Sequence, residues 1–266
     1  MSQPSSGHSS QRSSGSSSSG SSSRRSSRIG TILLILAAVC VLIIGIMMFG
    51  ARFGLWEPVV GFGYVRNTMN PIAYGLLALG ILGFIYQIAT RNRAGAVKAF
   101  IASLVGLGLL GPMIYGKIKP AKRAPPIHDI TTDTDNPPQF LVLDDNRPGA
   151  RNSLIYAGEK VAEIQKKAYP QITPVLSELP AEEAFTKALS IAEEKGWELV
   201  AQDSSALRFE AIARTAVYSF MDDVVVVVTP ADTGSRIDIR SVSRVGRSDK
   251  GVNAARISDF TRSFGQ

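Results

Sequence analysis

The first half of the chain is dominated by apolar runs separated by short polar segments. Residues 29–49 form an uncharged run of 21 residues. At about 1.5 Å per residue, a helix of that length crosses the roughly 30 Å hydrocarbon core of a membrane. A cleaved signal peptide would have a shorter apolar core and small residues at its exit. Here the run ends in Phe49-Gly50-Ala51-Arg52, so we expect a retained membrane anchor.

Two further apolar segments predict additional spans. Residues 71–89 contain Gly75, Gly80 and Gly83, small positions where the backbone of another helix could approach closely. Residues 99–115 form a shorter segment that a Gly-Pro pair interrupts, and it either crosses the membrane or only re-enters it. We therefore expect a membrane region over residues 29–116 with three transmembrane helices.

Beyond residue 152 the pattern becomes that of a water-soluble domain. Residues 153–168 and 180–195 have the apolar spacing of helices. The uninterrupted run of valines at residues 224–228 predicts a strand that is buried on both faces. Three strands with alternating polarity lie around residues 197–201, 207–211 and 237–241, and a last helix covers about residues 250–264. We therefore expect an α+β two-layer domain over residues 153–266, with a four-stranded, mostly antiparallel sheet and packed helices.

Two polar segments flank the membrane region. Residues 2–28 hold 16 serines and no large apolar residue, so we expect residues 1–28 to be a disordered tail. Residues 117–152 contain two Pro-Pro pairs, which exclude helix and favour extended backbone. We expect this Pro-rich segment to be a linker whose later part docks on the domain as an arm.

The formal net charge of +7 would suggest a nucleic-acid partner, but the location of the charge does not. Nine of the 29 Lys and Arg residues precede Lys117, together with a single acid, Glu57. The remaining 20 are matched by 21 Asp and Glu residues. The excess positive charge is therefore close to the membrane segments, where basic residues fix topology and contact anionic lipid. We exclude nucleic acid and expect membrane lipid as a partner.

Orientation follows from the basic residues in the short flanks. Three arginines at residues 24–28 precede the first span, and three basic residues at 91–98 lie between the second and third. Such flanks favour the cytoplasmic side. Three spans then leave the N-terminus in the cytoplasm and the C-terminal domain outside it. Four basic residues at 117–123 favour the opposite orientation, but long domains translocate largely regardless of charge.

The chain has few residues suited to metal or redox chemistry. The single cysteine, Cys40, lies in an apolar run and cannot form an intramolecular disulfide or a cysteine metal site. The two histidines, His8 and His128, are too few for a multi-histidine metal site. No phosphate-binding loop, dinucleotide fingerprint or metal-ligand spacing occurs. We expect no metal and no cofactor.

Two polar segments carry the candidate binding residues. One is residues 126–133, and the other is residues 241–256, SVSRVGRSDKGVNAAR. Gly246 permits a sharp turn in the second, and Ser248 or Asp249 can cap the last helix by accepting a free backbone N–H. Free N–H groups beside an arginine form an anion-binding position. The expected polar pocket comprises His128, Asp129, Asp133, Arg244, Arg247, Ser248, Asp249, Asn253 and Arg256.

We expect these two segments to touch, although more than one hundred residues separate them. In this interpretation an acid of the first segment accepts hydrogen bonds from an arginine of the second. The acids are Asp129 and Asp133, and the arginines are Arg244, Arg247 and Arg256. In the alternative interpretation, Asp249 merely caps the helix and pairs with Arg247, and the first segment only docks as an arm. Asp222 and Asp223 can also pair with one of these arginines, or they serve only in a turn at the start of a strand.

A nucleophilic site built on Ser248 has little support. The local sequence is Gly246-Arg247-Ser248-Asp249-Lys250, which lacks the Gly-x-Ser-x-Gly elbow of many hydrolases. A distant His128 is weak support for a triad. We therefore name no catalytic residue.

The same segments resemble a known family. HDITTDTDNPPQF, the DDVVVVV stretch after Phe220-Met221 and, above all, SRVGRSDKGVNAARI are similar to bacterial proteins that share the domain of unknown function numbered fourteen ninety-nine. The resemblance covers residues 128–264 and implies domain limits and a bacterial origin, hence a bacterial inner membrane. It implies no activity and transfers no catalytic residue.

Three functions are consistent with these patterns. We favour a multi-pass membrane protein whose extracytoplasmic domain is a non-enzymatic binding or envelope-associated module. A membrane-surface hydrolase acting on a small or lipid-derived ester would require His128, Ser248 and an acid to converge within about 3 Å. A subunit of a larger membrane complex would use the small residues of spans two and three to contact a membrane-protein partner.

Overall fold

A computed structural model describes residues 20–119 and 124–265. The chain divides into two compact units. The first holds the described residues up to Ile44 together with Asn67–Tyr115. The second holds the described residues from Gly116 onward together with Gly45–Arg66. That range includes the end of the first helix, the connection and the start of the second helix.

The described residues of the N-terminal part of the chain form helices joined by short turns. Its elements are α1 (Gly20–Phe49), a short 3-10 helix (Gly50–Phe53), α2 (Pro58–Ala89), α3 (Arg93–Leu109) and α4 (Gly111–Ile118). Helix α1 therefore includes residues 20–28, which we expected to be disordered. Residues 1–19 of the predicted tail lie outside the described residues.

Two of these helical segments are long and apolar enough to cross a membrane. Arg28–Phe53 has a mean hydropathy of 3.2, and Pro58–Ala89 has a mean hydropathy of 1.9. The third predicted span is instead broken into α3 and α4, which meet at an angle of 47°. The prediction of three continuous spans is corrected to two continuous candidates and one bent pair. Pro112, near the start of α4, explains the break because it cannot donate a helical hydrogen bond.

Helix α2 begins 13 residues before the predicted start of the second span. Pro71 was expected to begin this span, but it lies inside the 32-residue helix. Proline is tolerated inside membrane helices, where neighbouring groups compensate for the lost hydrogen bond. The physical error was to treat Pro71 as a helix terminus.

Small residues allow close helix contacts within the first unit. A Cβ atom on Gly80 would lie 2.7 Å from the amide nitrogen of Ser103 in α3, and a Cβ on Gly30 would lie 2.8 Å from the Cα of Gly95. A Cβ on Gly83 would overlap the side chain of Leu33. Gly80 and Gly83 therefore pack against helices of the same chain, whereas a Cβ on Gly75 would meet nothing within 4 Å.

The second unit is built around an antiparallel sheet of six strands. The strands are β1 (Asp129–Thr131), β2 (Val175–Ser177), β3 (Glu198–Asp203), β4 (Arg208–Arg214), β5 (Met221–Pro230) and β6 (Ser235–Ser243). Their order is β1-β6-β5-β4-β3, and β2 pairs with the opposite end of β6. The helices are α5 (Glu159–Ala168), α6 (Ala181–Glu194) and α7 (Val252–Phe264). This is the expected α+β class, with six strands rather than four.

The sequence missed two strands because each has only three residues, too few for an alternating pattern to be visible. Strand β1 lies within residues 117–152, which we had assigned to a linker and docking arm, so the arm joins the sheet as a strand. The predicted helix over residues 153–168 is also shorter, since α5 begins at Glu159. Gly158, with a φ of 76°, precedes it in a conformation that a helix cannot use.

The apolar core lies between one face of the sheet and helices α6 and α7. Alternate residues of the central strands face this side, among them Phe209, Val224 and Ile239, each at most 1% exposed. Trp197 stacks on Phe260 of α7 with a ring-centroid distance of 5.6 Å. All buried members of this core lie between residues 127 and 264.

The opposite face of the sheet carries buried charged residues beside the buried valines Val225 and Val242. Glu210, Asp223 and Arg240 are each at most 1% exposed, although all three lie on central strands. The connection over residues 132–158 covers them and contributes backbone groups to them. This loop is why the valine run is buried on both faces, as predicted.

Candidate ligand-binding cavity

The loop between β4 and β5 is closed by its own hydrogen bonds. The Thr215 amide donates to the Phe220 carbonyl oxygen at 2.9 Å, and the Phe220 amide donates to Thr215 Oγ1 at 2.9 Å. Ser219 reverses the chain with a φ of 56°, which is uncommon for a residue other than glycine. The closed loop holds Tyr218 and Phe220 with their ring centroids 6.1 Å apart.

Phe62, in the first turns of α2, completes an aromatic cluster with these two residues. Its ring centroid lies 5.3 Å from that of Tyr218, nearly perpendicular to it, and 6.0 Å from that of Phe220. Such edge-to-face pairs contribute about 0.5–1.5 kcal/mol beyond the buried area. Arg52 of the 3-10 helix donates to the Ala216 carbonyl oxygen at 2.8 Å. The α1–α2 connection therefore packs on the β4–β5 loop within the second unit.

The segment between β6 and α7 forms another wall. Gly246, Lys250 and Gly251 all have positive φ angles, of 95°, 55° and 87°. The Asp249 carboxylate accepts from the amides of Gly251 (2.9 Å) and Asn253 (2.6 Å), which have no helical partners. The predicted capping role of Asp249 is confirmed, with Gly251 at the N-cap position itself.

These walls enclose a cavity of about 620 Å³, a volume within the range of small-molecule sites. Apolar and aromatic side chains form most of its lining. They include Val59, Phe62, Val217, Tyr218, Phe220 and Val245. Lys250 lies at its edge, with Nζ 5.1 Å from the ring centroid of Phe62.

The two carboxylates of the lining already have partners. Asp222 is 3% exposed and pairs with Arg256 of α7 at 2.5 Å, while Asp249 caps the same helix. Burial raises the pKa of the Asp222 carboxyl, and the Arg256 guanidinium opposes that rise. Among the described residues, no carboxylate lies within salt-bridge distance of Lys250 Nζ. Lys250 therefore has no direct ion-pair partner among the described residues, and the Asp249 carboxylate beside it in the lining is held by backbone amides.

The two predicted segments do touch. The Asp249 amide donates to the Ile127 carbonyl oxygen at 3.2 Å, and Ser248 Oγ donates to the Pro125 carbonyl oxygen at 2.8 Å. Asn253, which is fully buried, donates to the His128 carbonyl oxygen at 3.0 Å. Asn253 therefore joins α7 to β1, a structural role for a residue expected to bind ligand.

The predicted ion pairs between the two segments are wrong. Asp129 pairs with Arg240 at 2.7 Å and Asp133 pairs with Arg236 at 2.6 Å. The three arginines expected as donors are engaged elsewhere or exposed. Arg244 pairs with Asp223 at 2.7 Å and Arg256 pairs with Asp222, which confirms the alternative that these two acids are arginine partners. Arg247 is exposed without an ion pair to any described residue. The alternative pairing of Asp249 with Arg247 is likewise not among the described contacts.

Asp133 also lies away from the cavity. It lines a separate cleft of about 430 Å³, together with Tyr169, Pro170 and Arg236. Burial would raise its pKa, but hydrogen bonds from the Asn136 and Asp135 amides and the charge of Arg236 lower it below the usual range. The predicted pocket is therefore divided between two regions of the domain.

The geometry required for a hydrolase is not present in the described residues. Ser248 Oγ is engaged with the Pro125 carbonyl oxygen, and the His128 imidazole has no hydrogen bond to another described residue. No cluster of three or more His, Cys, Asp or Glu side chains among the described residues could hold a metal ion. Among the described residues, Ser248, His128 and an acid are therefore not brought together as the hydrolase interpretation requires.

Sequence reasoning missed the residues that form most of the cavity. Val59 and Phe62 lie between two predicted spans and were assigned no role, and Tyr218 precedes the Phe220-Met221 pair that was noted only for the family resemblance. Their common signal was an aromatic pair, Tyr218-Ser219-Phe220, in a short connection where a polar turn is usual. Only Ser248 and Asp249 of the predicted pocket line the cavity itself.

A comparison with family models agrees with the resemblance noted in the sequence. The model described as "Protein of unknown function (DUF1499)" matches residues 129–264, which run from the first residue of β1 to the last residue of α7. No curated protein matches the sequence. Since the match spans just over half of the chain, the protein belongs to the family described as Protein of unknown function (DUF1499).

Proposed function

We propose that this protein is a membrane-anchored, non-enzymatic binding protein of the bacterial inner membrane, with its C-terminal domain outside the cytoplasm. The observation that carries the proposal is the 620 Å³ apolar cavity. The lining presents apolar and aromatic side chains, and an apolar or amphiphilic ligand would remove this surface from water and gain dispersion contacts with it.

The contacts of the α1–α2 connection support three crossings. Phe62 and Arg52 contact the β4–β5 loop of the C-terminal domain. Two segments in contact outside the bilayer lie on the same side, so the chain between them crosses an even number of times. Helix α2 supplies one crossing, and the bent pair α3–α4 supplies the second. A re-entrant α3–α4 pair would separate the connection from the domain.

The distribution of basic residues supports the extracytoplasmic side. The turn between α2 and α3 contains Arg91 and Arg93, and Lys98 follows in α3. Short basic connections remain in the cytoplasm. The α1–α2 connection and the domain it contacts then lie on the other side of the membrane.

The experiment is to identify what co-purifies with the full-length protein in mild detergent. A cavity-filling variant, Val217→Trp, should lose one class of bound compound that wild type retains, as measured by mass spectrometry after denaturation. Ile155→Trp is the matched control, because Ile155 is 79% exposed and lies outside the cavity. The proposal is wrong if wild type and Val217→Trp carry the same compounds in the same amounts.

A further inference from the structure

We propose that the cavity holds an acyl chain of an anionic membrane lipid, with the lipid headgroup beside Lys250. This inference rests on the binding function proposed above and names its ligand. It follows from three properties of the cavity: its apolar lining, the contribution of α2 to one wall, and the basic side chains at its edge.

The lining favours a ligand without internal polar groups. The buried polar side chains that reach the cavity are already satisfied, since Ser248 donates to Pro125 and Asp222 pairs with Arg256. A polar ligand would bury groups without hydrogen-bond partners, at a substantial free-energy cost. A hydrocarbon chain has no such groups and gains dispersion contacts with Phe62, Tyr218 and Phe220.

One wall of the cavity continues into a candidate membrane span. Val59 and Phe62 belong to the first turns of α2, whose 32 residues have the length and hydropathy to cross a bilayer. An acyl chain that enters beside these residues passes from the apolar interior of the bilayer into the apolar cavity. A membrane lipid can therefore reach the cavity without exposing its chain fully to water, which a soluble ligand source would require.

Two basic side chains of the lining, Lys250 and Arg151, favour an anionic headgroup. Lys250 has no carboxylate partner among the described residues, and its backbone is held at a φ of 55° next to Phe62. Arg151 also lines the cavity, and its one ion pair with a described residue is a 3.8 Å contact with Glu57 in which both side chains are about 70% exposed. Such a pair contributes little, so Arg151 remains able to contact an anion.

The test uses the full chain in vesicles that contain a lipid with a diazirine in its acyl chain. One vesicle preparation carries the probe as phosphatidylglycerol and a matched preparation carries it as phosphatidylcholine. After irradiation, we expect phosphatidylglycerol adducts on residues 217–221 and on Val245. Val217→Trp should remove these adducts while leaving adducts on lipid-facing residues of the spans, such as Ile32 and Leu82, which are more than 60% exposed in this structure.

Charge reversal tests the headgroup. Lys250→Glu should lower the phosphatidylglycerol adducts at the cavity about fivefold, the size expected for one exposed ion pair, and leave those of phosphatidylcholine unchanged. Lys187→Glu is the matched control, since Lys187 lies 5.2 Å from the ring centroid of Phe264, away from the cavity.

The outcomes separate this inference from the function on which it rests. Equal cavity adducts for both lipids, insensitive to Lys250→Glu, would overturn the anionic headgroup while leaving a binding cavity. Cavity adducts absent for both lipids would overturn the acyl chain altogether. Co-purification of a different compound that Val217→Trp removes would then still support the binding function.

Discussion

Arg240 is fully buried on a central strand, and its partners account for all sides of its guanidinium group. Its Nε and Nη2 donate to the two carboxylate oxygens of Asp129, at 3.0 and 2.7 Å. Nη1 donates to the Pro138 carbonyl oxygen and Nη2 also donates to that of Leu154. Tyr156 lies with its ring centroid 5.4 Å away, and burial raises the pKa of its phenol to about 12. The charge thereby joins strand β1 and the 132–158 loop to the sheet.

Removing Arg240 should therefore be costly. We expect Arg240→Ala and Asp129→Ala each to lower the free energy of unfolding by about 3–5 kcal/mol, because each leaves an unpaired buried charge or its unsatisfied partners. The double variant should cost less than the sum of the two, as measured by chemical denaturation. Lys166→Ala, which breaks an exposed pair with Asp135, should cost less than about 1 kcal/mol. Additive effects of Arg240→Ala and Asp129→Ala would show that the pair is not coupled.

Glu210 plays a similar role for another part of the same loop. It is 1% exposed and accepts from the amides of Leu141 (2.5 Å), Val142 (3.2 Å) and Leu143 (2.7 Å). Glu210→Gln replaces one accepting oxygen by an NH₂ group, so we expect a loss of about 1–3 kcal/mol and faster hydrogen exchange at these three amides. Glu198→Gln, at an exposed position, should change stability by no more than about 0.5 kcal/mol. Unchanged exchange in Glu210→Gln would contradict the assigned role.

Asp222 predicts a pH dependence of definite sign. Burial raises its folded-state pKa above the ordinary value of 3.8, so folding is coupled to proton uptake. Its contribution to stability is present at low pH and is lost as pH rises through the folded-state pKa. The free energy of unfolding of wild type, relative to Asp222→Asn, should therefore fall as pH rises from about 4.

Asp259 provides a control with the opposite sign. A hydrogen bond from Lys195 lowers the pKa of the Asp259 carboxyl, so its contribution is present at higher pH and is lost as pH falls. Wild type relative to Asp259→Asn should gain stability with rising pH in the same titration. Parallel curves for wild type and Asp222→Asn would show that the buried carboxyl keeps an ordinary pKa.

The sequence revealed some of these residues and concealed others for a physical reason. The alternating pattern of β6 correctly places Ile237 and Ile239 on one face of the sheet and Arg236 and Arg240 on the other. The pattern alone, however, predicts that the face with the arginines is exposed to solvent. Arg240 is buried because a distant loop covers it, and no local pattern encodes that contact. The same limit explains why Asp129 was assigned to the wrong arginines.

At the scale of elements, the sequence predicted long elements better than short ones. The periodicity of α6, α7 and the valines of β5 was visible because each spans at least ten residues. Strands β1 and β2 both pair with β6, which is nine residues long. Their formation therefore depends on tertiary contacts rather than on their own composition. The cavity was missed for the same reason, since its walls come from four separate connections.

Helix α3 offers a matched pair of glycines for testing how the first unit packs. A Cβ on Gly106 would lie 2.6 Å from the amide nitrogen of Leu77 in α2, whereas a Cβ on Gly108 would meet nothing within 4 Å. We expect Gly106→Ala to lower the thermal stability of the full-length protein in detergent. Gly108→Ala should leave it unchanged or raise it slightly, since alanine is the better helix former. Equal effects of the two substitutions would mean that the close approach of α2 and α3 is absent.

At the scale of the whole molecule, hydropathy and structure answer different questions about topology. Hydropathy identified three apolar segments but could not decide whether the short third segment crosses. The 47° bend between α3 and α4 leaves that question open when the pair is taken alone. The contact between Phe62 and Tyr218 supports the topology proposed above, because it joins the start of α2 to the C-terminal domain.

Cysteine labelling in bacterial spheroplasts tests the resulting topology directly. Cys40 is the only native cysteine, so single cysteines can be placed on a Cys40→Ser background. Leu55→Cys in the α1–α2 connection and Asp232→Cys in the β5–β6 turn should both react with a membrane-impermeant maleimide, since both positions are exposed. Thr90→Cys, before the basic α2–α3 turn, should react only after the membrane is permeabilised. Labelling at residue 55 but not at residue 232 would indicate that α3–α4 is re-entrant. It would contradict the proposal that the α1–α2 connection and the C-terminal domain lie on the same side of the membrane. Labelling at residue 90 alone would instead show that the whole orientation is reversed and that the basic residues at 117–123 determine it.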